Sequence, residues 1–391
     1  MLKKFLQDYL AYQKSRLVGG RKYSDWLKNT IALQENVFIK NTALAKELEK
    51  ACNKNGFLTY AQFLDIIQFG ENGYHNTHKH HGMTDVRFNW PKALVKLCQQ
   101  ENVHAISEFG PGDGKVGVLT LQEAKKQNYP LFWSGVEINK KLREKIKTAF
   151  AKKHLQNHLH QVVATLEELQ LSKPCLFVFS YSLDNLPPEL FINTTENLHF
   201  PNALLGIQVQ NGYLCEVILT EKNLQQIHRR LENGIYTDEK GYSWDMSTWQ
   251  LKQMQRVYVP LASFTTLLAV QKQLPKNSFV LILDEFSFSN AQTYHLGVPR
   301  DLEIYTRDCT DFGKFYKDIG NWLLYYPLLL QPTLSFLSQA GFSVAEKMGE
   351  KQFAKKLLGE TTDREKLTRI YGILLEKEEE KQKKIFSLHL D

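Results

Sequence analysis

Ser107-Glu108-Phe109-Gly110-Pro111-Gly112-Asp113-Gly114 is the stretch on which the fold turns. It follows a short apolar run and precedes an amphipathic one. Three glycines at alternate positions let a backbone turn tightly and approach a ligand where a Cβ would clash. The helix start behind them presents unpaired N–H groups and a positive dipole end, which favour a carboxylate or a phosphate. Strand, glycine turn and helix in that order predict the first βα unit of a doubly wound sheet.

Outward from this turn the pattern repeats. Helical periodicity is expected over 93–100, 116–126 and 140–153, and apolar runs lie at 105–109, 131–138, 160–164 and 175–179. Continuous apolar runs separated by helices predict parallel strands buried on both faces. Val209-Gln210-Asn211-Gly212-Tyr213 places Asn-Gly between apolar segments, which predicts a hairpin. Residues 203–258 therefore read as an antiparallel insertion carrying one helix over 224–231. The α/β pattern resumes with a helix marked by Leu261, Phe264, Leu268 and Leu274, and a buried strand at 279–283. Residues 1–85 read as a helical N-terminal extension. Residues 86–202 and 259–345 form the α/β core, and 346–391 a charged, helical C-terminal tail.

Composition narrows the class. The 391 residues are 43% hydrophobic and 23% charged, with a formal net charge of +7, as in ordinary globular chains. The five cysteines are scattered with no C-x-x-C pair, which argues against a disulfide framework or a thiolate zinc site. The most apolar stretch, 322–337, is interrupted by Pro327 and Pro332 and is too short to span a bilayer. A cytoplasmic protein without a membrane span is the expectation. Four histidines crowd 75–81, but close neighbours rarely converge on one ion, and no metal is expected. The segment 140–153 holds seven basic residues and one acid without interleaved aromatics. It reads as a solvated face rather than a nucleic-acid surface.

The turn also contains Gly112-x-Gly114-x-x-Gly117, the dinucleotide spacing, so a nicotinamide or flavin nucleotide is one expected ligand. Glu108 favours S-adenosylmethionine instead. A carboxylate there can hold a cationic amine and would repel a pyrophosphate. Glu137, 25 residues past Gly112, ends the next strand. It can accept both ribose hydroxyls of either ligand, or cap the following helix. Gly110, Gly112, Asp113 and Gly114 would line the cofactor. Ile138, Thr165, Leu166 and Ser180, at successive strand ends, would flank it. Asp184, Tyr181 and Glu285 are the candidates to accept a proton or position the methyl acceptor, with Asp184 first. Asp184 also suits a turn or a helix cap.

The ordered set Glu108–Gly114 (EFGPGDG), 135–145 (GVEINKKLREK) and 180–190 (SYSLDNLPPEL) resembles the MidA-like methyltransferases, the mitochondrial complex I assembly methyltransferase and its bacterial relatives. Leu58-Thr59-Tyr60-Ala61-Gln62-Phe63, Phe69-Gly70-Glu71-Asn72-Gly73-Tyr74, Arg256-Val257-Tyr258-Val259-Pro260 and Val280-Leu281-Ile282-Leu283-Asp284 extend the likeness over 58–345. The resemblance implies a class I methyltransferase fold, S-adenosylmethionine as cofactor and a protein arginine as acceptor. The family's Asn-Glu-Phe-Phe-Asp is Ser180-Tyr181-Ser182-Leu183-Asp184 here, so Tyr181 takes the place of the acid. Its Asp-Tyr-Gly is Asp284-Glu285-Phe286, and Phe88-Asn89-Trp90-Pro91 stands where it has Thr-Ser-Pro. A nucleotide-dependent oxidoreductase and a non-catalytic assembly protein on the same scaffold are the competing expectations.

Overall fold

The computed structural model describes residues 37–77, 90–251, 256–287, 324–326, 328–349, 370–377 and 384–388, with a few isolated positions besides. The central sheet has seven main strands: β1 (Ala105–Phe109), β2 (Phe132–Val136), β3 (Leu159–Val163), β4 (Leu176–Ser180), β5 (Phe279–Ser287), β6 (Phe342–Gly349) and β7 (Ile370–Lys377). Their order is β3-β2-β1-β4-β5-β7-β6. β7 runs antiparallel to the other six strands. The chain steps outward from β1 to β3, then returns to the other side of β1 with β4. The switch in direction between β1 and β4 opens the crevice where such sheets bind ligands.

Period-2 side-chain alternation explains how both faces are filled. Leu176, Val178, Leu281 and Leu283 join Leu94, Val118, Trp133 and Phe150 in one core layer. Phe177, Phe179, Val280 and Ile282 point the other way and pack with Phe264, Trp244 and Phe336. The helices Trp90–Gln100, Lys115–Lys126 and Lys140–Lys152 begin and end within a few residues of expectation. Helix Lys140–Lys152 buries Ile146 and Phe150 and leaves most of its lysines exposed.

A second sheet is antiparallel throughout. Hydrogen bonding runs from Val37–Phe38 to Tyr213–Leu219, Ala203–Gln210, Glu189–Ile192 and Arg256–Val259, with Leu58–Thr59 on the side of Ala203–Gln210. The expected hairpin is present, with Asn211 and Gly212 both at positive φ. The insertion is larger than 203–258, because Glu189–Ile192 already belongs to its sheet. The N-terminal extension is not purely helical either. Helices Thr42–Cys52 and Tyr60–Phe69 pack on this sheet through Leu44, Leu48, Phe63 and Ile67, but Val37–Phe38 and Leu58–Thr59 are strands.

Two more expectations are corrected. In place of a helix over 224–231 there is Glu221–Gln226, begun by a Thr220 capping box, and then strand Arg230–Glu232. The Asn233-Gly234 turn, at positive φ in both residues, folds that strand onto Ile235–Thr237. The C-terminal tail is largely strand where it is described, with helix only at Gln352, Lys355 and Lys356. Ile373, Leu374 and Leu375 are buried in β7, and Ile385–Ser387 pairs with Ser243–Asp245. A short apolar run outweighed the charges around it. The expected helical residues 1–36 and His78, His80 and His81 lie outside the described residues. No helix among the described residues is long and apolar enough to cross a membrane.

Candidate cofactor site

The glycine turn leaves β1 with Gly110, Gly112 and Gly114 at φ of +66°, +60° and +73°. L side chains avoid that region. Space demands glycine as well: a Cβ at Gly114 would stand 2.9 Å from Ile146 Cγ1. The Gly112 N–H donates to Glu137 Oε2 at 3.1 Å, and the Asn139 N–H to Glu137 Oε1 at 2.9 Å. Glu137 thus pins the turn after β1 to the end of β2. It does not cap the next helix. Asn139 does, accepting from the N–H groups of Lys141 and Leu142. Burial raises the Glu137 carboxyl, while the two N–H donors and Arg143 pull it down. Arg143 Nη1 donates to the carbonyls of Glu137 and Ile138, both at 2.7 Å.

Glu108 lies on β1, buried, with Trp133 Nε1 donating to its Oε2 at 3.3 Å. Desolvation pushes its carboxyl up to about 7, against the lowering pull of the indole. The indole lies where two glycines leave room. A Cβ at Gly135 would stand 2.4 Å from Trp133 Cη2, and one at Gly117 2.6 Å from Cε2. Gly135→Ala is therefore expected to destabilise the fold by about 1–3 kcal/mol through overpacking. A urea midpoint equal to that of the native chain would contradict this packing.

The end of β4 is strained. Tyr181 adopts φ +50°, which bulky residues rarely do, held by its N–H to Leu283 O at 2.8 Å and by Asn185 Nδ2 to its carbonyl at 2.6 Å. Asp184 does not reach the crevice. It is 1% exposed, packed under the loop against Asp284, which is fully buried. Burial lifts the Asp284 carboxyl to about 7, and the Leu183 N–H donates to its Oδ2 at 3.0 Å. Two buried carboxyls in contact are stable when they share a proton. The pair lies beneath the loop, and neither carboxyl is among the residues that line the cavity. Glu285 follows on β5, and its side chain lies outside the described residues.

These elements enclose a cavity of about 470 Å³. Of the expected cofactor residues, Glu108, Gly110, Gly112, Asp113, Glu137, Ile138, Thr165, Leu166 and Ser180 line it, and Gly114 sits behind the turn as the helix N-cap. Tyr181 lines it too. Ile138 is 68% exposed, an apolar side chain left open at the end of β2. Sequence reasoning missed Ser182, whose buried Oγ has no hydrogen-bond partner among the described residues. It also missed Asp65, Phe69 and His75 from the N-terminal extension. His75 stacks on Phe69 with ring centroids 4.7 Å apart, and Asn139 Nδ2 donates to Asn76 Oδ1 at 3.3 Å, which docks this segment over β2. Gly70 and Gly73 make the preceding turn possible, since a Cβ at either would stand within 2.6 Å of the Ile66 carbonyl oxygen. Glu47 accepts the N–H groups of Glu71 and Asn72 there.

The residues present suit an aminoacyl nucleoside. Acids stand at the ends of β1 and β2, an open apolar side chain follows the second, and a cradle of glycines and one orphaned hydroxyl lie between β1 and β4. A family model described as "Putative S-adenosyl-L-methionine-dependent methyltransferase" matches residues 90–301, more than half of the chain.

The chain belongs to this family. It is an S-adenosylmethionine-dependent methyltransferase of the class I fold, and the nicotinamide or flavin reading of the glycine spacing is set aside. A search of curated proteins found no match for the methyltransferase. Among solved structures it is similar to two superfamily proteins from Burkholderia thailandensis, at 13% and 12% identity and a TM-score of 0.58 for each. Each comparison covers 93% of this chain and 95% of the other. The second of those proteins was crystallised with S-adenosyl-homocysteine. At such identity the likeness speaks for the fold.

Proposed function

We propose that the methyltransferase acts on a protein side-chain nitrogen, arginine by its resemblance to the MidA-like family, in the cytoplasm. One observation carries the choice of a cationic acceptor. Asp65, on the lid helix Tyr60–Phe69, opens onto the cofactor cavity. Its carboxylate is exposed at the cavity, with partial desolvation raising it from its ordinary value, and an anionic oxygen there can pair with a cationic acceptor and receive its proton. The other acids of the cavity have work of their own. Glu137 is bound by two N–H groups and faces the ribose position. Glu108 lies by the aminoacyl end, Asp113 accepts the Lys115 N–H at 3.1 Å, and Glu167 is held by its own backbone and Thr165. Asp65 thereby stands in for the acid that Tyr181 displaced.

When bound, the cofactor supplies an electrophilic methyl on sulfur, whose leaving group needs no protonation. The protein's task is alignment and proton acceptance. Ile138 and Leu166 present apolar surface to the adenine, and Thr165 and Ser180 border it. Tyr181, fixed in its strained conformation, forms the wall between cofactor and acceptor. Asp65 orients the acceptor nitrogen and receives its proton. Buried thiols such as Cys98 and Cys175 suit a reducing compartment.

Radiolabelled S-adenosylmethionine and a whole-cell extract test this reading. Label is expected in a protein band and, after acid hydrolysis, in methylarginine. Asp65→Asn should lower kcat by about a hundredfold or more with little change in cofactor affinity. Label confined to small molecules, or cofactor binding with no transfer, would overturn it.

A further inference from the structure

We propose that Trp133 is a positioning residue for the cofactor's aminoacyl end: its indole N–H fixes the Glu108 carboxylate so that the free oxygen meets the cationic amine. This rests on the aminoacyl reading of Glu108 above.

The geometry is tight on every side of the indole. Trp133 is 1% exposed. The β1–β2 register sets Glu108 beside Gly135, and the side chain missing at Gly135 leaves the gap that the ring occupies. Gly117 opens the same space from the helix side, and Phe150 lies across the ring at 5.0 Å. The ring has no other place to go, so its N–H direction is set by packing. It meets Glu108 Oε2, the only side-chain hydrogen bond that Glu108 makes among the described residues. Oε1 is left for a ligand. The charged groups facing Glu108 are Asp113 and Glu137, both acids, and each disfavours its ionised form. No cation of the protein answers it among the described residues. A buried carboxylate between two like charges is completed by a cationic ligand. The sheet order places that ligand's amine here. If β2 and β3 hold the ribose and adenine, the chain beyond the ribose lies over β1 and β4.

The indole N–H stabilises the charged form of Glu108, so its loss should move the titration upward. Ionised Glu108 binds the amine, and affinity falls as pH drops through its titration midpoint. The test compares S-adenosylmethionine with 5′-methylthioadenosine, which lacks the aminoacyl group, by calorimetry from pH 5.5 upward. In the native chain only the first should lose affinity with acid. In Trp133→Phe the acid limb should move up by about one unit, since a hydrogen bond to an ionised acceptor is worth roughly that much. At position 133, benzothienylalanine keeps the ring shape and removes the N–H, and should shift the limb equally if the smaller phenylalanine harms folding. Methylthioadenosine affinity should stay within about twofold of native. An unmoved limb in the benzothienyl protein overturns the role of Trp133. If Glu108→Gln leaves the preference for S-adenosylmethionine intact, the aminoacyl reading itself falls.

Discussion

Replacing Glu137 by alanine is expected to weaken S-adenosylmethionine binding by about a hundredfold or more while the chain remains folded. Two losses combine. In the proposed reading the carboxylate accepts the ribose hydroxyls, and hydrogen bonds to ionised groups are worth roughly 1.5–3 kcal/mol each. It is also the anchor of the glycine turn, because Gly112 and Asn139 both donate to it. Without it, two N–H groups lose their acceptor and the turn loses its register against β2. Glu137→Gln should fall between. Its amide oxygen can keep one of the N–H donors, and its amide nitrogen then faces the other. Because 5′-methylthioadenosine retains the ribose, it should lose affinity in parallel, unlike in the Glu108 variant. Calorimetry on both ligands decides the matter. An alanine variant within threefold of native for either ligand would remove Glu137 from the ribose site.

The turn after β1 was legible because its chemistry is local. Glycines must stand where φ is positive, and a carboxylate at the end of the next strand lies a fixed distance away. β1, β2, β4 and β5 were legible for a related reason. A strand buried on both faces has no polar positions to confuse its pattern, as Leu176 to Phe179 show. What sequence pattern could not reveal depends on contacts between distant segments. Val37–Phe38 and Leu58–Thr59 are two-residue strands, too short for any period, and exist because a sheet edge awaits them. Asp184 looked catalytic because it stands just beyond a strand end. Only the folded loop shows that its side chain is buried and hydrogen-bonds with Asp284. Asp65 and Phe69 looked like an ordinary amphipathic helix, and nothing in their spacing tells which cavity that helix covers. The Gly135 and Gly117 pair was visible in the sequence, but its meaning required seeing the indole of Trp133 between them.

Arg229→Met should lower the stability of the fold by about 3–5 kcal/mol, although it lies outside the cofactor cavity. Arg229 Nη1 donates to Glu189 Oε1 at 2.5 Å, with side chains only 10% and 6% exposed. Its Nε donates to Glu239 at 2.8 Å, and the nearby acids hold the guanidinium firmly charged. Removing the cation leaves Glu189 buried with neutral donors alone, the Thr59 hydroxyl at 3.1 Å and the Ala61 N–H at 3.4 Å. Glu189→Gln should be milder, because Arg229 keeps Glu239, which is half exposed to water. The Tm of the methionine variant should fall by roughly 5–15 °C, given the scale per kcal/mol for large domains. Combining Arg229→Met with Glu189→Leu should recover much of that loss, since a packed apolar pair avoids the desolvation that makes a lone buried charge expensive. The consequence reaches the site. Glu189 accepts from Thr59, the residue that caps the helix carrying Asp65 and Phe69, so this ion pair ties the insertion to the lid. Arg229→Met is accordingly expected to raise KM for the methyl acceptor even at temperatures where the chain is folded. If the double-mutant cycle gave a coupling below about 1 kcal/mol, the pair would be a bystander and the lid would be held by its apolar contacts alone.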